Sequence, residues 1–145
     1  MSNTEVEATQ PRSLVKGLVA GLVGGLVGTV AKTFAERLFP PRTHGEPEPF
    51  AQGVIAAGAI HWGYGAVIGA AYGVLAEYYP AATAKEGASF GMALEALTHE
   101  SALPAIGFSA GGEGETLQER ASEMTSHVVY GVAAEMVRGF VRKRL

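Results

Sequence analysis

HWGYGAVIGAAYGVLAEYYP, residues 61–80, decides the fold. His61, Gly65, Gly69, Gly73 and Glu77 fall at every fourth position, so on an α-helix they line up in one narrow stripe, each a turn from the next. Such a stripe lets a second backbone come close and then presents it with an ionisable group at either end. In water this would be a poor helix, because each interior glycine costs about 1 kcal/mol relative to alanine. In lipid, small-xxx-small stripes are how helices associate, since apolar side chains gain nothing by leaving the bilayer for one another. The stretch also closes a run of 28 residues between Glu48 and Glu77 that holds no Asp, Glu, Lys or Arg, enough helix to cross roughly 30 Å of hydrocarbon.

The same spacing recurs three more times: Gly24, Gly28, Lys32 and Glu36; Gly87, Gly91, Glu95 and His99; Glu123, His127, Gly131 and Glu135. Four rows predict an all-α fold, a four-helix transmembrane bundle of glycine-striped helices. Gly21, Gly28, Gly65, Gly69, Gly73, Gly91 and Gly131 are the expected packing positions.

Element boundaries follow from proline and polarity. Residues 1–12 are polar and aperiodic, the pattern of a disordered cytoplasmic tail. Helix one is expected at 13–38, ended by Pro40 and Pro41. Its uncharged part, Gly17 to Ala31, is about 22 Å long, and Lys16 and Lys32 extend it by snorkelling. A cleavable leader is the rival reading, with Thr29 and Ala31 as a small-residue pair. Glu5 and Glu7 before the apolar stretch speak for a retained helix instead. PPRTHGEPEP, residues 40–49, is a loop that places Arg42 at an interface. Helices two, three and four are expected at 50–79, 85–103 and 117–142, in one domain spanning 13–145. Pro80 ends the second and Pro104 the third. GFSAGGEGET, 107–116, reads as a loop.

Four spans put both termini on one side. Seven of the eleven Lys and Arg (Arg12, Lys16, Lys85, Arg138, Arg142, Lys143, Arg144) would share that side, which points to cytoplasmic termini. A net charge of −3 and the lack of aromatic-basic interleaving argue against a nucleic-acid partner. With no cysteine there is no disulfide frame or thiolate chemistry. Ser101 and Ser122 lack a Gly-x-Ser-x-Gly context, and the GLVGGLVG of helix one lacks the Lys-Ser/Thr end of a phosphate loop. The expectation is a non-enzymatic protein without a cofactor, whose partners are the lipid bilayer and either further copies of itself or other membrane proteins.

Helix rise puts His61, His99 and His127 toward the outer half of the bundle. Glu95 with His99 and Glu123 with His127 form two i, i+4 pairs on helices expected to run antiparallel. An ionisable group in hydrocarbon is expensive unless paired or hydrated, so His61, Glu95, His99, Glu123 and His127 are expected to share a buried network. Three uses are open: a structural lock, a proton or ion pathway, and a carboxylate-imidazole metal site. The last departs from the Glu-x-x-His spacing of di-iron bundles.

The order of these features resembles the YagU family of bacterial inner-membrane proteins. GLVAGLVGGLVGTVAKTFAERLFPPR, ending at Arg42, is similar to its glycine-rich first span closed by Pro-Pro-Arg. In the second segment His61, Tyr72, Ala76, Glu77 and Pro80 match. Gly87, Gly91, His99, Pro104 and Gly107 match in the third, and Glu119, Ser122, Glu123, His127, Glu135 and Arg138 in the fourth. The first loop is shorter here, and Glu95 stands where an amide is expected. The resemblance implies four spans in the inner membrane and an undefined molecular role, with no reaction to carry over.

Overall fold

A computed structural model describes residues 10–40, 54–101, 105 and 115–145, with side chains for all of these except 54–57 and 99–101. The tail up to residue 9, Arg42 and its loop, Pro104 and the Gly107 to Gly114 stretch lie outside the described residues. So does the side chain of His99. The fold is all-α, with four helices among the described residues: α1 Leu14–Leu38, α2 Val54–Tyr78, α3 Ala88–Glu95 and α4 Leu117–Arg142. A 3₁₀ connection, Pro80–Gly87, joins α2 to α3, and α3 runs on into a π turn, Ala96–Ser101.

Local signals set the ends. Ser13 caps α1, its hydroxyl accepting the Lys16 N–H at 3.3 Å. Thr116 and Glu119 form a reciprocal capping box at the start of α4, each side chain bonding the other's backbone N–H. The spacing predicts a third helix from Lys85, yet α3 begins at Ala88. Lys85 and Glu86 adopt left-handed backbone angles, φ 52° and 56°, followed by Gly87 at φ 86°, and no right-handed helix passes through them. This turn brings Gly87 against α4, where an added Cβ would lie 2.7 Å from the Glu135 Cβ.

α1 is the hub and makes the two most extensive interfaces. One flank, Gly17, Gly21 and Gly25, meets Gly73, Gly69 and Gly65 of α2, and the reversed order means that the helices run antiparallel. The approach is backbone to backbone: a Cβ at Gly21 would sit 2.6 Å from the Gly73 Cα, and one at Gly69 2.5 Å from the Gly21 carbonyl oxygen. The other flank, Gly24 and Gly28, meets Ala134 and Tyr130 of α4, again antiparallel. Gly91 of α3 packs in the same way on His127 and Val128, and Gly131 on Gly91. Up-down-up-down connectivity results, with the start of α1 and the end of α4 at the same end of the bundle.

Side-chain distribution is inverted relative to a water-soluble protein. α1 buries Gly17, Ala20, Gly21, Gly24, Gly25, Gly28 and Thr29 and exposes Leu18, Val19, Leu22, Leu26, Val30 and Phe34. Larger core residues fill the space between α2, α3 and α4. Tyr72 stacks on Phe90 with ring centroids 4.0 Å apart, Phe90 meets Tyr130, and Leu94, Ala134 and Ile68 complete the cluster. Among the described residues two helices are long and apolar enough to cross a membrane: α1, and the Gly58–Tyr78 part of α2.

Candidate functional site

Polar groups concentrate at the two ends of this core. At the end shared by Ser13 and Arg142, the Glu77 carboxylate receives the Arg142 guanidinium, through Nε on Oε1 and through Nη2 on Oε2 at 3.1 Å, and the Ser13 backbone N–H at 3.0 Å. Arg142 also donates to the Gln10 side chain and to the Pro11 carbonyl, the latter at 2.8 Å. One buried arginine thus ties α2, α4 and the chain leading into α1. Lys16 adds a bond to the Leu145 carbonyl at 2.5 Å.

One to two turns deeper lies a second ion pair. Arg138 grips Glu135 with a two-pronged contact, Nε on Oε2 at 2.6 Å and Nη2 on Oε1 at 2.7 Å, and the Tyr72 hydroxyl donates to the same Oε2 at 2.8 Å. The fork geometry saturates the carboxylate and fixes its plane. Arg138 is level with Gly24 of α1, about 12 Å along the helix from Lys16. The absence of a side chain at Gly24 makes room there, since a Cβ would lie 3.3 Å from the Arg138 Cβ.

The opposite end holds the residues that sequence spacing singles out. His61 sits at the end of the α2 stripe, its Nε2 2.9 Å from the Thr33 hydroxyl of α1. Thr33 spends its own proton on the Thr29 carbonyl, so His61 Nε2 is the donor and carries the hydrogen. Lys32, one residue earlier, turns to α4: it pairs with Glu36 and donates to the Ser126 hydroxyl at 3.0 Å. His127 Nδ1 donates to the Glu123 carbonyl one turn back at 2.9 Å. His61 and Ser126, the neighbour of His127, are therefore reached from adjacent residues of α1.

Glu95 and Thr98 near the end of α3 and Glu119, Glu123, Ser126 and His127 on α4 are all buried. The Gly87-Gly91-Glu95 row runs against Gly131-His127-Glu123, as the Gly87 and Gly91 contacts require. The i, i+4 reading of Glu95 and His99 assumes α-helical spacing, whereas the backbone widens to a π turn after Glu95. The Thr98 hydroxyl donates to both the Leu94 and Glu95 carbonyls, at 2.9 and 3.1 Å, competing for acceptors that the α-helical ladder uses. Among the described residues no three His, Asp or Glu side chains are grouped to hold a metal ion.

Between the two ends lies the Tyr72–Phe90–Tyr130 cluster. The Tyr130 hydroxyl donates to the Gly65 carbonyl at 2.7 Å, and a Cβ at Gly65 would run into the Thr29 side chain of α1. Sequence reasoning puts Glu77 and Glu135 in the every-fourth-residue rows and reaches Arg138 through resemblance, but it does not find Arg142, Tyr72, Lys32 and Thr33 as partners in these contacts. A signal for Arg142 was available. Arg138 and Arg142 share a helix face, and Glu77 ends a glycine stripe that must meet another helix.

These features define a class: a compact helical protein with an inverted, glycine-lined interior, two helices suited to a membrane, and charges paired at either end of an aromatic core. The chain belongs to a family of proteins of unknown function, DUF1440, whose profile matches residues 51–136. No curated protein matches the chain. No solved structure matches it either.

Proposed function

We propose that this is a multi-pass protein of the bacterial inner membrane, of the YagU type, serving as an accessory or structural membrane component rather than as an enzyme. The observation that supports this is the inverted packing of α1. Water would penalise a helix that buries glycine and displays leucine, valine and phenylalanine along its length, whereas hydrocarbon accepts that surface and rewards close backbone approach. In this reading α3 and α4 lie in the bilayer beside α1 and α2, and the two arginines nearest the shared end of the termini are paired: Arg138 with Glu135 and Arg142 with Glu77. The termini share the cytoplasmic side with seven of the eleven basic residues.

The partners are lipid and either a second copy or other membrane proteins. Gly21, Gly28, Gly65, Gly69, Gly73, Gly91 and Gly131 all face helices of their own chain, so contact with a partner falls to the outward surface of α2, where Gly58 and Gly63 have open space among the described residues. A proton pathway is the second reading, favoured by the buried Glu95, Glu119, Glu123 and His127. The stacked aromatics between the two polar ends favour the structural role over it.

Reporter fusions at Leu145 and in the loop near Gly45 test the topology. Opposite locations are expected, and the same location for both would refute four spans. Proton flux into liposomes that Glu123→Gln abolishes would replace the structural role with conduction.

A further inference from the structure

A cavity of about 460 Å³ opens between the 3₁₀ connection and the last two turns of α4. Met136, Gly139, Phe140 and Lys143 line one wall at i, i+3, i+4 and i+7, a single stripe on α4, with Thr83 and Glu86 opposite. We propose that this cavity is a binding site for a phospholipid with a primary-ammonium headgroup, phosphatidylethanolamine, a reading that rests on the membrane location proposed above.

The charges fit a zwitterion. Lys143 and Glu86 are both exposed, and neither is drawn into an ion pair among the described residues. A phosphate would meet Lys143 and an ammonium Glu86. Thr83, in the lining, donates its hydroxyl proton to the Pro80 carbonyl, so toward a ligand its oxygen can act only as an acceptor, as an ammonium requires. Glu135, also in the lining, is already neutralised by Arg138, which leaves Glu86 as the carboxylate to be matched. An anionic headgroup without an ammonium would meet Glu86 unfavourably, and a fully methylated one would have no N–H to give it.

The apolar side of the cavity fits the remainder of the lipid. Met136 and Phe140 are largely exposed and lie below Lys143, which is about 10 Å along the helix from Met136. The polar end sits at the level of the bundle end, where Tyr78 and Tyr79 are also exposed, the depth at which aromatic residues meet headgroups.

The test is lipid retention by the full chain, extracted from membranes and presented with equal amounts of phosphatidylethanolamine, phosphatidylcholine and phosphatidylglycerol, read by native mass spectrometry. Wild type should hold phosphatidylethanolamine at least about tenfold better than phosphatidylcholine, the lower end of the scale of one charge-assisted hydrogen bond. Glu86→Gln should collapse that ratio, and Lys143→Gln should lower retention of both lipids about fivefold. Both residues are exposed, and unchanged helical circular dichroism shows that the variants fold. Equal retention of all three lipids by wild type, or a ratio that Glu86→Gln leaves alone, overturns the proposal. A chain that never enters membranes overturns both readings, whereas one that inserts and shows no preference overturns this one alone.

Discussion

Gly69→Ala and Gly63→Ala are the same substitution in the same helix, six residues apart, and should have opposite signs. At Gly63 nothing lies within 4 Å of the new methyl group, so the variant collects the helix-propensity gain of alanine, about 1 kcal/mol. At Gly69 the methyl would sit 2.5 Å from the Gly21 carbonyl oxygen and 2.7 Å from the Gly25 nitrogen, against an optimal separation of about 3.5 Å or more. These atoms are backbone and cannot rotate away. Nor can α1 retreat, because its other flank rests on Ala134 and Tyr130 through Gly24 and Gly28. Overpacking of about 3 kcal/mol, the upper end of its usual range, less the same 1 kcal/mol propensity gain, leaves Gly69→Ala destabilised by about 2 kcal/mol. The two variants should then differ by about 3 kcal/mol, roughly a hundredfold in the unfolding equilibrium. Titration of detergent-solubilised protein with a denaturing detergent, followed by circular dichroism, measures this. Shifts that agree within about 0.5 kcal/mol, the usual effect of a neutral surface change, would refute the backbone contact.

Glu77→Gln should cost about 3 kcal/mol by leaving Arg142 buried without its counter-charge, and residues 10–13 should become more protease-sensitive because the Arg142 bonds to Gln10 and Pro11 loosen. Glu77→Gln combined with Arg142→Gln should recover part of that loss in the same unfolding assay. Tyr130→Phe removes the hydroxyl that serves the Gly65 carbonyl and should lower stability by about 1 kcal/mol, readable as a lower melting temperature. Lys85→Gly should raise stability by up to about 1 kcal/mol by relieving a left-handed backbone, while Lys85→Val should lower it.

Some of this is legible in the chain and some is not, for reasons tied to particular residues. The stripe Gly65, Gly69, Gly73 is visible because glycine has one use at that spacing, and Pro40 and Pro80 stop helices whatever surrounds them. Which stripe faces which is not visible. α1 has two glycine flanks three residues out of step, and only packing assigns Gly21 to α2 and Gly24 to α4. The left-handed turn at Lys85 and Glu86 carries no local mark except Gly87, since lysine and glutamate are ordinary helix formers. The π turn after Glu95 is accompanied by Thr98 bonds to the Leu94 and Glu95 carbonyls, from a hydroxyl that bonds equally well in other settings. The long-range partnerships of Glu77 with Arg142 and of Lys32 with Ser126 join residues far apart in sequence, so periodicity names the groups without pairing them.

The double-flanked α1 has a consequence for how the molecule is made. α1 is synthesised early, with both glycine flanks bare, and α2 covers one of them. The other stays open until α4 arrives, and the bonds that seal it span most of the chain: Lys32 reaches Ser126 94 residues on, and Lys16 reaches Leu145 129 residues on. Until the final turn of α4 leaves the ribosome, Glu77 waits for Arg142. A nascent chain is therefore an open sandwich with one slice missing, and docking of the last helix is the step that commits it to the finished form. A cell could sort stalled or truncated copies from complete ones by that open flank alone.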